Sequence, residues 1–146
     1  KTVQLLLSHG ADPTIVDKTG KTALVYASGK GFSKIVGLLL DTGIATSIRY
    51  GNELTILMWA AGHSDDVPSQ AALKTVKLIL SKGANPDLTD ERGHTALMIA
   101  AEMGHLQIIK HLLGAKARTD LRNKNGRTAL DLAVSANQTE VSKILR

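Results

Sequence analysis

Gly93-His94-Thr95-Ala96-Leu97 is followed 33 residues later by Gly126-Arg127-Thr128-Ala129-Leu130. The same phrase stands upstream as Gly20-Lys21-Thr22-Ala23-Leu24 and, altered, as Glu53-Leu54-Thr55-Ile56-Leu57. Thr22 to Thr55 is 33 residues, Thr55 to Thr95 is 40 and Thr95 to Thr128 is 33. A second phrase keeps the same step. It reads His9-Gly10-Ala11-Asp12-Pro13 and later Lys82-Gly83-Ala84-Asn85-Pro86, with Gly10 to Gly43 at 33 and Gly43 to Gly83 at 40. Two independent phrases on one spacing mark an internal repeat, and a period in this range belongs to arrays of small supersecondary units.

Each unit reads as two short helices and a turn. The Thr is an N-cap, because its hydroxyl can accept from an orphan N–H of the first turn. The first helix carries a Leu and a small Ala three residues apart: Leu24 and Ala27, Leu57 and Ala60, Leu97 and Ala100, Leu130 and Ala133. The Ala lets neighbouring backbones approach. The second helix carries an apolar stripe at helical spacing, Ile108, Ile109, Leu112 and Leu113 in one unit and Ile35, Val36, Leu39 and Leu40 in another. Gly10, Gly43 and Gly83 follow it, where a left-handed C-cap favours Gly. Lys116 takes that place once. Asp17-Lys18-Thr19-Gly20 forms a tight turn.

Composition agrees. The 146 residues are 43% apolar but only 3% aromatic, so the core is aliphatic. The absence of Cys excludes disulfides, thiolate metal sites and cysteine nucleophiles. No apolar run reaches the roughly 20 residues of a membrane span.

The pattern resembles the ankyrin repeat, whose period is 33 residues with a Thr-Pro-Leu-His-x-Ala phrase and a Gly-Ala-Asp/Asn phrase. The resemblance covers essentially the whole chain. It implies an all-α solenoid of stacked helix-turn-helix units with short β-turn fingers. Ala23, Ile56, Ala96 and Ala129 stand where the family usually has Pro, and Val25, Met58, Met98 and Asp131 where it has His. The family's Thr–His hydrogen bond is therefore lost, which implies a less rigid unit. One domain is expected over 1–146: a partial repeat at 1–16, repeats at 17–49, 50–89 and 90–122, and a C-terminal cap at 123–146. The wording Leu57-Met58-Trp59-Ala60-Ala61-Gly62-His63 is similar to bacterial members of the family.

The ends and the long unit depart from the repeat. The partial first unit would leave Leu5, Leu6 and Leu7 uncovered, so the natural protein is expected to continue upstream with at least one more helix. Arg146 occupies a slot that holds Leu in other units, which suits a face meeting water. The seven extra residues of the long unit fall between its two helices, within 62–73, and Ser69 is expected to cap a lengthened second helix. This insertion reads either as a tolerated surface loop or as a contact element.

Chemistry is poorly supported. His63, Ser64, Asp65 and Asp66 are the residue types of a hydrolase, but loop neighbours cannot line up a nucleophile, a base and an orienting acid. A metal site from His63, Asp65 and His94 lacks a paired-ligand spacing. His105 takes the family's Gly-His position, which implies a structural role. No phosphate-binding glycine motif occurs. No enzyme, cofactor, metal or small-molecule substrate is expected.

The expected function is protein–protein recognition by a partner on the concave face that the resemblance implies. Carried over position by position, the finger tips supply Lys18, Thr19, Lys21, Asn52, Leu54, Glu91, Arg92, His94, Lys124, Asn125 and Arg127. The first helices supply Tyr26, Lys30, Trp59, His63, Glu102 and Met103. Tyr26 and Trp59 share one repeat slot and read either as an interface anchor or as packing between first helices. The alternative function is binding of nucleic acid or another polyanion by Lys110, Lys116, Arg118, Arg122, Lys124 and Arg127, a run opposed only by Asp120. No aromatic stacking platform lies among these charges. The run reads first as a solvated, solubilising face. A monomer and a cytoplasmic location are the defaults, with periplasm or secretion left open by the incomplete first unit.

Overall fold

The computed structural model describes all 146 residues and contains nine helices. They are α1 (Thr2–Ser8), α2 (Ala23–Gly29), α3 (Ser33–Leu40), α4 (Ile56–Ala61), α5 (Ser69–Ser81), α6 (Ala96–Met103), α7 (Leu106–Gly114), α8 (Ala129–Ser135) and α9 (Thr139–Leu145). No strand forms; a single bridge pairs Tyr50 with Leu54. The helices make two layers. First helices α2, α4, α6 and α8 contact one another in series, second helices α1, α3, α5, α7 and α9 do the same, and each unit packs its own pair together. This is an all-α solenoid. No helix is long and apolar enough to cross a membrane.

Thr starts every first helix in the four full-length phrases. Thr22, Thr55, Thr95 and Thr128 are extended, and each hydroxyl accepts the N–H three residues on, at 3.2–3.4 Å. In α8 the residue replacing the family's His completes the cap by another route. Asp131 accepts from both the backbone N–H and the hydroxyl of Thr128, each at 2.9 Å. These bonds hold its carboxyl below the usual carboxylate range.

The core is one continuous aliphatic cluster running from Leu24 to Val141. Its narrow places are the small residues of the first helices: Ala27, Ala60, Ala61, Ala100, Ala101 and Ala133 are all buried. Gly62 shows how tight the approach is, since a Cβ there would sit 2.7 Å from Ile99 Cγ2. α1 buries no residue completely; Val3 and Leu7 pack against the cluster, while Leu5 and Leu6 are more than half exposed.

The insertion is docked rather than free. Gly31 has φ +74, and a Cβ on it would meet Ala71 Cβ at 3.0 Å and Val67 Cγ1 at 3.1 Å. The missing side chain lets the inserted segment close on the α2–α3 turn and bury Val67. The lengthened helix α5 is present, but its cap differs from expectation. Pro68 is the N-cap and Ser69, the first helical residue, makes no capping bond. The Pro68 carbonyl takes the first helical N–H groups, from Ala71 and Ala72. Pro near a helix start loses nothing by lacking its own N–H.

Lys116 lies in the left-handed region at φ 62, at the position equivalent to Gly10, Gly43 and Gly83. Lys116→Gly is expected to raise stability by about 1 kcal/mol in denaturant unfolding. Gly62→Ala is expected to lower it by about 1–3 kcal/mol, because Ile99 cannot retreat within a close-packed seam.

Candidate functional site

Three of the four fingers are each closed by one side-chain carboxamide or carboxylate. Asp17 Oδ1 accepts from the N–H of Thr19 at 2.7 Å and of Lys21 at 3.1 Å. Asp90 Oδ1 does the same for Arg92 and His94, and Asn123 Oδ1 for Asn125 and Arg127, all at 2.8–3.0 Å. The long unit has Tyr50 in this slot. There the backbone substitutes: Leu54 N–H donates to Tyr50 O while Tyr50 N–H donates to Leu54 O, and Glu53 takes φ 62. Neighbouring fingers are joined by Glu91 N–H to Asn52 O at 3.2 Å and Lys124 N–H to Arg92 O at 3.0 Å. The turn acceptors Asp17, Asp90 and Asn123 were missed as a set in the sequence, although they repeat at the period of the Thr phrase.

Between α2 and α4 lies a groove of about 290 Å³ lined by Lys21, Val25, Tyr26, Gly29, Lys30, Trp59, Gly62, His63 and Ser64. Tyr26 is 49% exposed. Its hydroxyl donates to Asp17 Oδ2, which holds the ring upright and keeps the Asp17 carboxyl far below the usual range. Trp59 is half-buried, with its indole N–H shielded and lacking any acceptor. An unsatisfied buried donor costs on the order of 1–3 kcal/mol. The Lys21 ammonium lies 5.0 Å from the Trp59 ring centroid and 5.8 Å from that of Tyr26, a cation held over two aromatic faces.

The insertion reaches this groove. Lys30 Nζ pairs with Asp66 Oδ2 at 2.7 Å, and the Ser64 hydroxyl donates to the same carboxylate, which is lowered to about 2, chiefly by Lys30. His63, expected on the surface, is 5% exposed because its ring stacks on His105, centroids 3.9 Å apart and 5° from parallel. His105 Nδ1 donates to Ala61 O at 2.8 Å, so this residue staples one unit's first helix to the next unit. Gln138, one repeat on, sends its Nε2 to Glu102 O in the same manner.

His94 differs most from its expected place. It is not a free finger tip but 6% exposed. Both lone pairs of Asn123 Oδ1 are used by backbone N–H groups, so the Asn123 amide must donate to His94 Nε2, at 2.8 Å. That fixes the proton on Nδ1, which is buried without a partner. The remaining residues expected at the site are spread along the fingers and helix ends. Lys18, Thr19, Asn52, Glu91, Arg92, Glu102, Met103, Lys124 and Asn125 are exposed, whereas Leu54 and Arg127 are partly buried. None of them lines the groove between α2 and α4. The structure groups no three His, Cys, Asp or Glu residues that could hold a metal ion.

The basic run is partly spent on the protein itself. Arg118 forms a two-pronged pair with Asp120 at 2.7 and 3.0 Å, Arg122 donates to Gly126 O at 2.7 Å, and Arg127 donates to Asp131 O at 3.1 Å and to the Ser135 hydroxyl.

Two layers of short helices joined by hydrogen-bonded fingers define a helical-repeat solenoid. The family model described as ankyrin repeats (3 copies) matches residues 1–69 and 67–146. This chain belongs to the ankyrin repeat family. It is similar to ankyrin repeat and KH domain-containing protein mask-1 of Caenorhabditis elegans, 35% identical over 106 residues, 71% of this chain and 4% of that protein. It is also similar to ankyrin repeat, SAM and basic leucine zipper domain-containing protein 1. The Chlorocebus aethiops protein is 31% identical over 106 residues and the Ornithorhynchus anatinus protein 36% over 103. Those matches cover 73% and 70% of this chain but only 22% and 21% of the relatives. Ankyrin repeats serve in general as protein–protein interaction modules and are a scaffold type rather than a class of enzyme.

Burial, then the Arg92 charge, pushes the His94 ring below its ordinary value of 6.5, and burial likewise lowers His105. The unfolded chain therefore binds protons first. Stability is complete above about pH 6.5 and falls as the pH drops below it. Melting temperature is expected to fall between about pH 7 and pH 5. His94→Gln keeps an acceptor for Asn123 but cannot titrate, and should flatten part of this fall, leaving the share due to His105. An unchanged slope would refute the assignment.

Proposed function

We propose that this chain binds a partner protein in the groove between α2 and α4, with Tyr26 and Trp59 as the anchor. The observation that carries the reading is the exposed Tyr26 beside Trp59, both lining one groove, with a Lys21 ammonium poised over their rings. Large aromatic side chains dominate binding hot spots because they remove much apolar surface from water at little entropic cost. The fingers around Lys18, Thr19, Asn52 and Leu54 extend the surface on one side. Those around Glu91, Arg92, Lys124 and Asn125 continue it along the array. Tyr26 supports the anchor reading by its exposure; Trp59 serves both roles, partly covered by neighbouring helices and partly open. Polyanion binding by the run from Lys110 to Arg127 is the weaker reading, because Arg118, Arg122 and Arg127 already have partners within the chain.

Two variants separate the groove from the fold. Tyr26→Ala should change stability by less than about 1 kcal/mol, because the ring is half exposed. Gly29→Ala puts a methyl 3.9 Å from Trp59 Cε3 and the Trp59 carbonyl, an ordinary contact, and removes a helical Gly. Its melting temperature should hold or rise, by up to about 1 kcal/mol of stabilisation. A partner isolated by affinity capture and identified by mass spectrometry should bind Tyr26→Ala at least about tenfold more weakly. It should also bind Gly29→Ala more weakly than the unaltered protein. Full affinity for both variants would place the partner elsewhere.

A further inference from the structure

Given that the groove between α2 and α4 is the partner's seat, we infer that it selects a protein segment carrying an Asp or Glu carboxylate beside an apolar residue, with the carboxylate on Lys21. None of the nine residues lining the groove is acidic, while Lys21, Lys30 and His63 all line it. The two lysines are not equivalent. Lys30 already has a carboxylate, Asp66, at 2.7 Å, which closes that end of the groove electrostatically. Lys21 makes no ion pair within the chain. The acid at its own finger, Asp17, is engaged elsewhere: Oδ1 accepts the N–H groups of Thr19 and Lys21 and the Thr19 hydroxyl, and Oδ2 accepts the Tyr26 hydroxyl. Asp17 is therefore committed to holding the turn and the Tyr26 ring, and leaves the Lys21 ammonium without a hydrogen-bonded acceptor. Lys18, exposed on the same finger and also without an ion pair, adds positive charge at this end.

The ammonium is placed for an incoming anion. Cation–π contact at 5.0 and 5.8 Å holds it over Trp59 and Tyr26 without consuming its hydrogen-bond donors. A carboxylate reaching Lys21 thus arrives at the edge of the aromatic surface, where the neighbouring apolar side chain of the same segment can cover Tyr26 and Trp59. The acidic residue points to the first finger and the apolar one towards Gly29 and Gly62. A charge pair beside an excluded apolar surface is stronger than one in open water, because the ring faces displace its competing solvent.

The probe is a phage-displayed library of random dodecapeptides, selected on the whole chain and measured by the fluorescence of Trp59, the only Trp in the sequence. Selected peptides are sorted by whether Gly29→Ala or Tyr26→Ala weakens them. Groove-dependent peptides should carry an Asp or Glu next to an apolar residue. Changing that acid to its amide should weaken binding to the unaltered protein by at least about fivefold, and hardly at all to Lys21→Gln. Groove-dependent peptides without an acid, or an acid-to-amide loss equal on both proteins, would overturn the carboxylate assignment and leave the groove as the binding site. Selection of peptides indifferent to both groove variants would overturn the groove as the seat, and the assignment with it.

Discussion

The close approach of neighbouring first helices is the constraint on which the rest depends. Each helix is too short to be stable alone in water. Each unit gains its core only by closing on the next, and that closure needs small residues at the seam: Ala27, Ala60, Ala61, Gly62, Ala100, Ala101 and Ala133. At this spacing the second helices can merge their Leu, Ile and Val side chains into one cluster. The fingers also fall into hydrogen-bonding register, Asn52 with Glu91 and Arg92 with Lys124. The same seam sets the groove, because the Tyr26 and Trp59 slots can share a wall only where α2 and α4 lie side by side.

Local chemistry then differs between units on a shared frame. Three fingers use an Asp or Asn side chain to close the turn, and the fourth uses its own backbone around Glu53. Three first helices meet their cap with an apolar or sulfur-bearing residue, and α8 with Asp131. Thr55 N–H finds Met58 Sδ and Thr128 N–H finds Asp131, so two units close the cap in both directions, while α2 and α6 keep only the bond to the Thr hydroxyl. Surface difference thus enters without disturbing the stacking.

Much of the fold was legible in the sequence because it rests on periodic, local signals. The Thr caps, the paired helices, the left-handed Gly positions and the lengthened α5 all follow from residue type and spacing. Pro68 displaced Ser69 as the cap because a single-position choice between two good starters depends on how the chain enters the helix, which the insertion decides. The candidate site was legible only as a strip of positions. His94 and His63 were misplaced because their burial depends on residues far along the chain, Asn123 and His105. Tyr26 and Trp59 could be paired by their slot. That Asp17 holds one ring, Lys21 lies over both and Asp66 reaches Lys30 are contacts between elements that no short window of sequence contains.

The measurement that bears most directly on this account is amide hydrogen exchange of the chain, free and bound to a captured partner. Binding across the first helices predicts new protection at the fingers around 17–21 and 50–54 and at the exposed ends of α2 and α4, with α3, α5 and α7 unchanged. Protection confined to α3, α5 and α7, or to the segment from Lys110 to Arg127, would contradict it.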